Sequence, residues 1–285
     1  MKFPLSAPPW LLGATIASSS CLTVSTMLFV LSPAKSLDYA SPLRSHTHTD
    51  PLFVKQSQQL IKVLRTYTPP QISELMDLSD TLAGLNVARY QAWRAKATPQ
   101  NARQAVLAFD GDVYDGLNAR EMDDAALDWA QAHVCVLSGL YGVLRPLDLM
   151  QPYRLEMGTR LPTDKGSDLY AFWGDAITDY LNTRLAGHSD PVIVNLASQE
   201  YFKAVRTKRL QARIVECVFE DYKGGVYKII SFNAKRARGA MARFAIAQRA
   251  TEVDQLKAFD TDGYRFEAAV STPARLVFRR KLTNA

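Results

Sequence analysis

From Met27 onward, apolar and polar positions alternate in blocks with no linker-like stretch between them. Leu28-Phe29-Val30-Leu31 is an apolar run of strand length that ends at the turn signal Ser32-Pro33, and it predicts a buried strand followed by a loop over Ser32–Arg44. Phe53, Leu60, Ile61 and Leu64 recur at helical spacing and predict a helix over Phe53–Thr66, which Pro69-Pro70 stops. Gln71–Leu78 and Asn86–Ala97 read as two helices joined by Thr81-Leu82-Ala83-Gly84-Leu85. Helices are also expected over Ala102–Leu107, Asp124–His133 and Leu169–Leu185, and strands over Val134–Leu137 and Pro191–Val194. Lys223-Gly224-Gly225, set between Arg213–Phe219 and Val226–Phe232, is the strongest hairpin signal in the chain. Ala234–Ala250 predicts a helix and Arg275–Arg279 a last strand. Hairpin strands interspersed with helices predict an α/β (mixed α+β) fold. The expected form is one compact domain over residues 27–285 with a mixed sheet, rather than a doubly wound one.

Residues 1–26 do not continue this pattern. No charge occurs between Lys2 and Lys35, and Trp10–Ile16 is apolar, which loosely resembles a signal peptide. Against export stand the single lysine, the pair Pro8-Pro9 and a Ser/Thr-rich stretch at Ser18–Thr26 too polar to span a membrane. Because a strand starts directly at Met27, translation is expected to begin there, with residues 1–26 a mis-assigned leader and the protein cytoplasmic.

Composition narrows the classes. The 285 residues are 47% hydrophobic and 22% charged, a globular balance that can bury a sizeable core. A formal charge of +6 raises the odds of an anionic partner. Cys21, Cys135 and Cys217 are too far apart for a disulfide framework or a CxxC metal pair. His46 and His48 have no third ligand nearby, and no 2-His-1-carboxylate set is close in sequence, so no metal is expected. P-loop, GxGxxG and nucleophile-elbow patterns are absent, and no cofactor is expected. Charge is unevenly spread. Asp110–Asp128 holds seven acids against Arg120 alone, whereas Tyr222 through Thr251 holds no acid and seven cations.

Four segments combine charge, rings and turn residues in ways that packing does not require. They are Ser32–Tyr39, Leu137–Met157, Asn195–Lys203 and Tyr227–Arg249. Within them, Ser32-Pro33-Ala34-Lys35, Leu137–Met157, Asn195–Lys203 and Ile230–Gly239, with Gly111-Asp112-Val113-Tyr114 and Tyr170–Asp175, carry a resemblance to the YaaA proteins of bacterial peroxide-stress resistance. Leu137–Met157 is its most specific part, and the resemblance runs from Met27 nearly to the end. One departure is Asn233, where the family pattern has tyrosine. The resemblance implies a compact mixed α/β fold with a positively charged cleft, DNA binding, and a role in limiting damage from free iron under hydrogen peroxide.

Three groups of residues are candidates for that chemistry. Lys235, Arg236, Arg238 and Arg243 lie on the basic helix, where acids for i,i+4 pairing are missing, and read as phosphate contacts. The Leu82–Asn86 connection resembles a helix-hairpin-helix, a module that grips a phosphate through backbone N–H groups, with Gly84 in the turn and Arg89 following it. Gly139-Leu140-Tyr141-Gly142 is a competing hairpin. The third group is Lys35, Asp112, Arg145, Tyr153, Arg154, Glu156, Asn195, Ser198, Glu200 and Lys203. It reads either as structural ion pairs or as an acid–base pocket for a nucleoside-like or damaged-base substrate. The leading expectation is a protein with no established enzymatic activity that binds duplex or distorted DNA with low sequence specificity. It would have no membrane partner and would be a monomer. An enzyme of the third group is the rival, and an iron-sequestering protein a further alternative.

Overall fold

The computed structural model describes residues 27–43 and 45–281; the expectations for residues 1–26 and for Arg44 lie outside them. Its strands are β1 (Met27–Leu31), β2 (Ser36–Leu37), β3 (Arg103–Gln104), β4 (Phe109–Asp110), β5 (Val134–Ser138), β6 (Gly142–Leu144), β7 (Leu149–Met150), β8 (Val192–Asn195), β9 (Arg213–Lys223), β10 (Val226–Lys228), β11 (Arg265–Phe266) and β12 (Arg275–Arg280). Its α-helices are α1 (Val54–Leu64), α2 (Pro69–Met76), α3 (Asp80–Ala92), α4 (Ala105–Ala108), α5 (Asp112–Leu117), α6 (Asp124–His133), α7 (Leu169–Trp173), α8 (Ala176–Leu185), α9 (Gln199–Phe202) and α10 (Ser231–Gln248).

The main sheet has eight strands in the order β11-β12-β9-β8-β1-β5-β6, with β10 paired to β9. It is mixed, as the sequence predicts: β5–β6, β9–β10 and β11–β12 are antiparallel. The strands β1, β5, β8, β9 and β12 are all parallel. Taken in chain order, these parallel strands sit in the spatial order 2-1-3-4-5, which is a doubly wound arrangement. The expectation of a sheet that is not doubly wound is therefore corrected. Hairpins dress the sheet, but its centre is parallel, because helical crossovers separate the long apolar strands. Every residue of β1 is buried, so both faces of the sheet centre are covered. Each such Leu, Phe or Val side chain contributes roughly 1.5–3 kcal/mol of burial.

Local chemistry moves several predicted boundaries. Pro69 and Pro70 do not merely stop a helix; they occupy the first turn of α2, where a missing N–H is harmless. The turn between α2 and α3 lies at Asp77, in a left-handed conformation (φ 51°), and Ser79 caps α3 by accepting from Leu82 N. Gly84 and Asn86 are interior residues of α3, so no turn exists at Leu82–Asn86. Leu169–Leu185 divides into α7 and α8 at Gly174-Asp175. The strand expected over Val226–Phe232 ends at Lys228, and α10 takes over at Ser231, earlier than the expected Ala234. Lys223 pairs with Val226 across Gly224-Gly225, both at positive φ, so the predicted hairpin is a two-residue turn.

Candidate functional site

Two regions gather polar chemistry. The first lies where β1 and β8 run side by side and the chain order reverses, with the loops leaving their C-terminal ends meeting above them. Ligands of doubly wound sheets bind at that place. Leu196 N donates to Val30 O at 2.9 Å, and Ser198 N to Ser32 Oγ at 2.9 Å, so the loops after β1 and β8 are joined to each other. Tyr114 of α5 donates to the Ser32 carbonyl at 3.1 Å. Asp38 anchors the far end of the first loop. Its Oδ1 accepts from Ala40 N and Ser41 N, both at 2.9 Å, and Arg120 pairs with its other oxygen. Those bonds, the Ser41 contacts first, hold its carboxyl below the ordinary range.

The segment after β7 crosses this edge. It passes so close to the end of β5 that a Cβ on Gly139 would stand 2.2 Å from the Leu155 carbonyl oxygen, which only glycine permits. Glu156 is thereby placed between two cations. Its Oε2 meets Lys35 Nζ at 2.9 Å and its Oε1 meets Arg154 Nη2 at 3.0 Å. Tyr153 shares a hydrogen bond of 2.6 Å with Ser138 Oγ at the end of β5, and burial raises its phenol. Glu200 Oε1 accepts from Gly158 N at 2.8 Å, and Lys203 lies 4.7 Å above the Tyr170 ring. Asn195 caps its own loop by accepting from Ala197 N at 2.9 Å. Asp112 begins α5, and its neighbour Gly111 lies against Ala34.

The structure thus brings together Lys35, Tyr153, Arg154, Glu156, Asn195, Ser198, Glu200 and Lys203, with Asp112 at the rim. Arg145 does not join them. It follows β6, whose Leu144 pairs with Val136, so it stands toward the opposite end of β5 from Ser138. There its guanidinium holds the fully buried Asp148 at 2.8 Å and the Asp50 carbonyl at 3.1 Å, a structural clamp on the loop. Arg89, assigned to a helix-hairpin-helix, instead lies half-buried on α3 beside Tyr39 and Tyr90. Burial lowers its pKa, and nearby Arg154 adds to the shift. Tyr90 donates to the Arg154 carbonyl, which fixes that proximity. Gly84 has open space around it and shapes no turn. Ser32, Ser138, Tyr114 and Gly139 complete the edge. All four lie in segments that the sequence singles out, but none was among the predicted site residues.

The second region is the β9–β10 hairpin with the first turns of α10. Lys235 is exposed there, and so is Arg236, which pairs with Asp262 at 3.1 Å. Arg238 is half-buried, and burial lowers its pKa despite the nearby Glu216. Glu216 is in register with Asn195, so Arg238 lies toward the same end of the sheet as the first region. Arg243 donates to the Asn118 carbonyl at 2.8 Å and serves packing. The remaining cations come from the hairpin, which the predicted site residues omitted. Lys223 and Lys228 are exposed, and no ion pair to Lys223, Lys228 or Lys235 occurs among the described residues. The two acids nearest the hairpin turn are already taken: Glu220 by Arg279 at 2.8 Å and Asp221 by Arg280 at 2.5 Å. The omitted signal was the pairing of Tyr222-Lys223 with Val226-Tyr227-Lys228 around a Gly-Gly turn.

Among the described residues, no group of three or more His, Cys, Asp or Glu is placed to hold a metal ion, and no helix is long and apolar enough to cross a membrane. Cys135 and Cys217 are free and buried, and burial pushes their thiols up to about 11 and about 12, so neither is a ready nucleophile. A UPF0246 protein of Albidiferax ferrireducens is 64% identical over 255 residues, which cover 90% of this chain and 98% of that protein. UPF0246 proteins of Polaromonas sp. (64% over 255 residues, 90% of this chain and 99% of the relative) and Bordetella petrii (62% over 255 residues, 90% and 100%) are comparably similar. The family model described as peroxide stress protein YaaA matches residues 27–270, a span that contains the edge above β1 and β8, the hairpin and the whole of α10. By that match, the chain belongs to the peroxide stress protein YaaA family.

Proposed function

We propose that this protein supports resistance to peroxide by binding DNA in the cytoplasm, through the basic face that the β9–β10 hairpin and the first turns of α10 share. The observation that carries this reading is the set of exposed lysines without acidic partners, Lys223, Lys228 and Lys235, beside acids already neutralised by β12. Unpaired surface cations in one patch are suited to phosphates, and phosphate contacts carry no sequence information. Phosphate neutralisation releases condensed counterions from the strand, and iron held there would be released with them. Less iron is then held where peroxide would generate radicals, which links DNA binding to limiting iron damage. The test is a salt titration of DNA affinity on two unrelated sequences. Replacing Lys223, Lys228 and Lys235 by Ala should flatten the slope of log K against log salt by about 0.9 per lost contact, equally for both sequences. An unchanged slope in a folded variant overturns the reading. The same variant should fail to restore peroxide survival to cells lacking the protein.

A second reading has its own observation: Glu156 held between Lys35 and Arg154 at the place where doubly wound sheets take ligands. It is an enzyme acting on a nucleoside-like or damaged-base substrate, with Glu156 as the acid–base group. Incubation with nucleosides and with DNA carrying damaged bases, followed by chromatography, tests it. Release of a free base by the wild type, abolished in Glu156→Gln, would establish it; no turnover in either would dismiss it.

A further inference from the structure

The hairpin carries more than charge. Its large side chains are unusually exposed for apolar groups: Val226 56%, Ile229 55% and, in the first turn of α10, Phe232 61%. Tyr222 and Tyr227 are also exposed, and they face each other across the ladder with ring centroids 5.2 Å apart at 64°. Side chains alternate between the two faces of a ladder, so these tyrosines share one face and Lys223, Val226 and Lys228 share the other. Strand β12 lies alongside and adds cations to the tyrosine face. Arg279 stands 4.5 Å from the Tyr227 centroid and Lys281 4.7 Å from that of Tyr222. The outcome is a projecting ribbon on which rings and cations alternate at short intervals.

Packing within the chain does not require this arrangement. Rings and cations interleaved in this way match a single nucleic-acid strand, in which bases and phosphates alternate. A second copy of the same hairpin would bring lysine against lysine, which opposes self-association. A lipid surface calls for a contiguous apolar face, and here a cation interrupts the apolar positions every few residues.

Resting on the DNA-binding reading above, we infer that the hairpin is a stacking platform for unpaired bases. Tyr222, Tyr227 and Phe232 receive base faces while Arg279 and Lys281, on the tyrosine face, meet the adjoining phosphates. Lys223 and Lys228, on the other face, meet those of the displaced strand, so the protein prefers DNA whose strands are locally separated. The two-residue turn keeps the tip narrow enough to enter such an opening.

The experiment measures fluorescence anisotropy of the full chain with a labelled 15-nucleotide single strand and with the duplex of the same sequence. Variants are Tyr222→Ala/Tyr227→Ala/Phe232→Ala, the milder Tyr227→Phe, and the lysine triple variant used above. Base–aromatic stacking gives about 5- to 150-fold per base. The ring variant should therefore lose at least about tenfold for the single strand and less than about threefold for the duplex. Tyr227→Phe should keep the single-strand affinity. Single-strand affinity unchanged in a ring variant that still binds duplex overturns the platform and leaves DNA binding standing. Equal losses on both DNAs overturn it too. Binding of neither DNA by the wild type overturns both readings. Uptake of phosphatidylglycerol vesicles without oligonucleotide binding, or a dimer in sedimentation that the ring variant abolishes, would reassign the surface to lipid or to a second copy. The rings are exposed, so their truncation leaves the core intact, and circular dichroism checks this.

Discussion

The edge above β1 and β8 and the hairpin with α10 use similar residue types to opposite ends. At the edge, charges and hydroxyls are tied to one another. Glu156 links Lys35 and Arg154, Ser32 binds Ser198, Tyr153 binds Ser138, and Glu200 binds Gly158. On the hairpin, the acids are satisfied by β12, while the lysines and rings are left to solvent. Bonds among polar groups fix loop geometry and select a ligand that can replace or extend them. Unpartnered cations instead act on any polyanion that approaches. The two regions are joined through α5, which starts at the rim of the edge and crosses α10 at two glycines. A Cβ on Gly239 would stand 1.7 Å from the Val113 carbonyl oxygen, and one on Gly116 would stand 2.0 Å from that of Arg236.

That crossing is where the largest effect is expected. Gly239→Ala forces α5 and α10 apart and should cost roughly 3 kcal/mol in urea unfolding, harming both regions together. A cost below about 0.5 kcal/mol would show that the helices separate freely and that the two regions are independent. Next comes Ser32→Ala, which leaves Ser198 N without its acceptor and should cost about 1–2 kcal/mol. Lys228→Ala, its counterpart on the hairpin, should stay within about 0.5 kcal/mol. Equal costs would erase the distinction between a bonded edge and an open surface.

Acid separates the regions further. The folded state holds the Asp38 carboxyl below its ordinary value of 3.8, so its contribution to stability is present above that value and is lost as pH falls below it. Asp38→Asn should therefore flatten the acid limb of the stability curve, as thermal melts between about pH 5 and pH 2 would register. An unchanged limb would mean that its bonds to Ser41 do not hold the loop in solution. Asp38 lies outside the hairpin, so the variant should retain DNA affinity. The smallest effect is expected at Arg236, whose pair with Asp262 is exposed. Arg236→Ala should change stability by less than about 0.5 kcal/mol, measured by the same urea titration. A larger loss would mark this pair as part of the α10 anchor.

Much of the architecture was decided locally and could be read from residue order. The apolar run at β1, the Gly-Gly turn of the hairpin and the acid-free stretch through α10 each depend on neighbours in sequence, and each occurs where the pattern predicts. The turn between α2 and α3 was misplaced because glycine was given too much weight. In the fold, Asp77 takes the left-handed turn and Ser79 provides the cap, while Gly84 continues the helix. Which candidate residues would meet depended on long-range register. Glu156 reaches Lys35 because Gly139 lets Leu155 pass over β5, and Arg145 is turned away because β6 runs antiparallel to β5. By itself the sequence determined which segments would be buried, which would turn, and where positive charge would collect, since propensity, burial and charge act over a few residues. Only the tertiary structure decided that β1 and β8 lie side by side at the reversal of chain order, and that β12 neutralises Glu220 and Asp221 while the lysines of the hairpin stay without acidic partners. Both follow from strand pairing between segments far apart in the chain, which hydrogen-bond register and core packing fix.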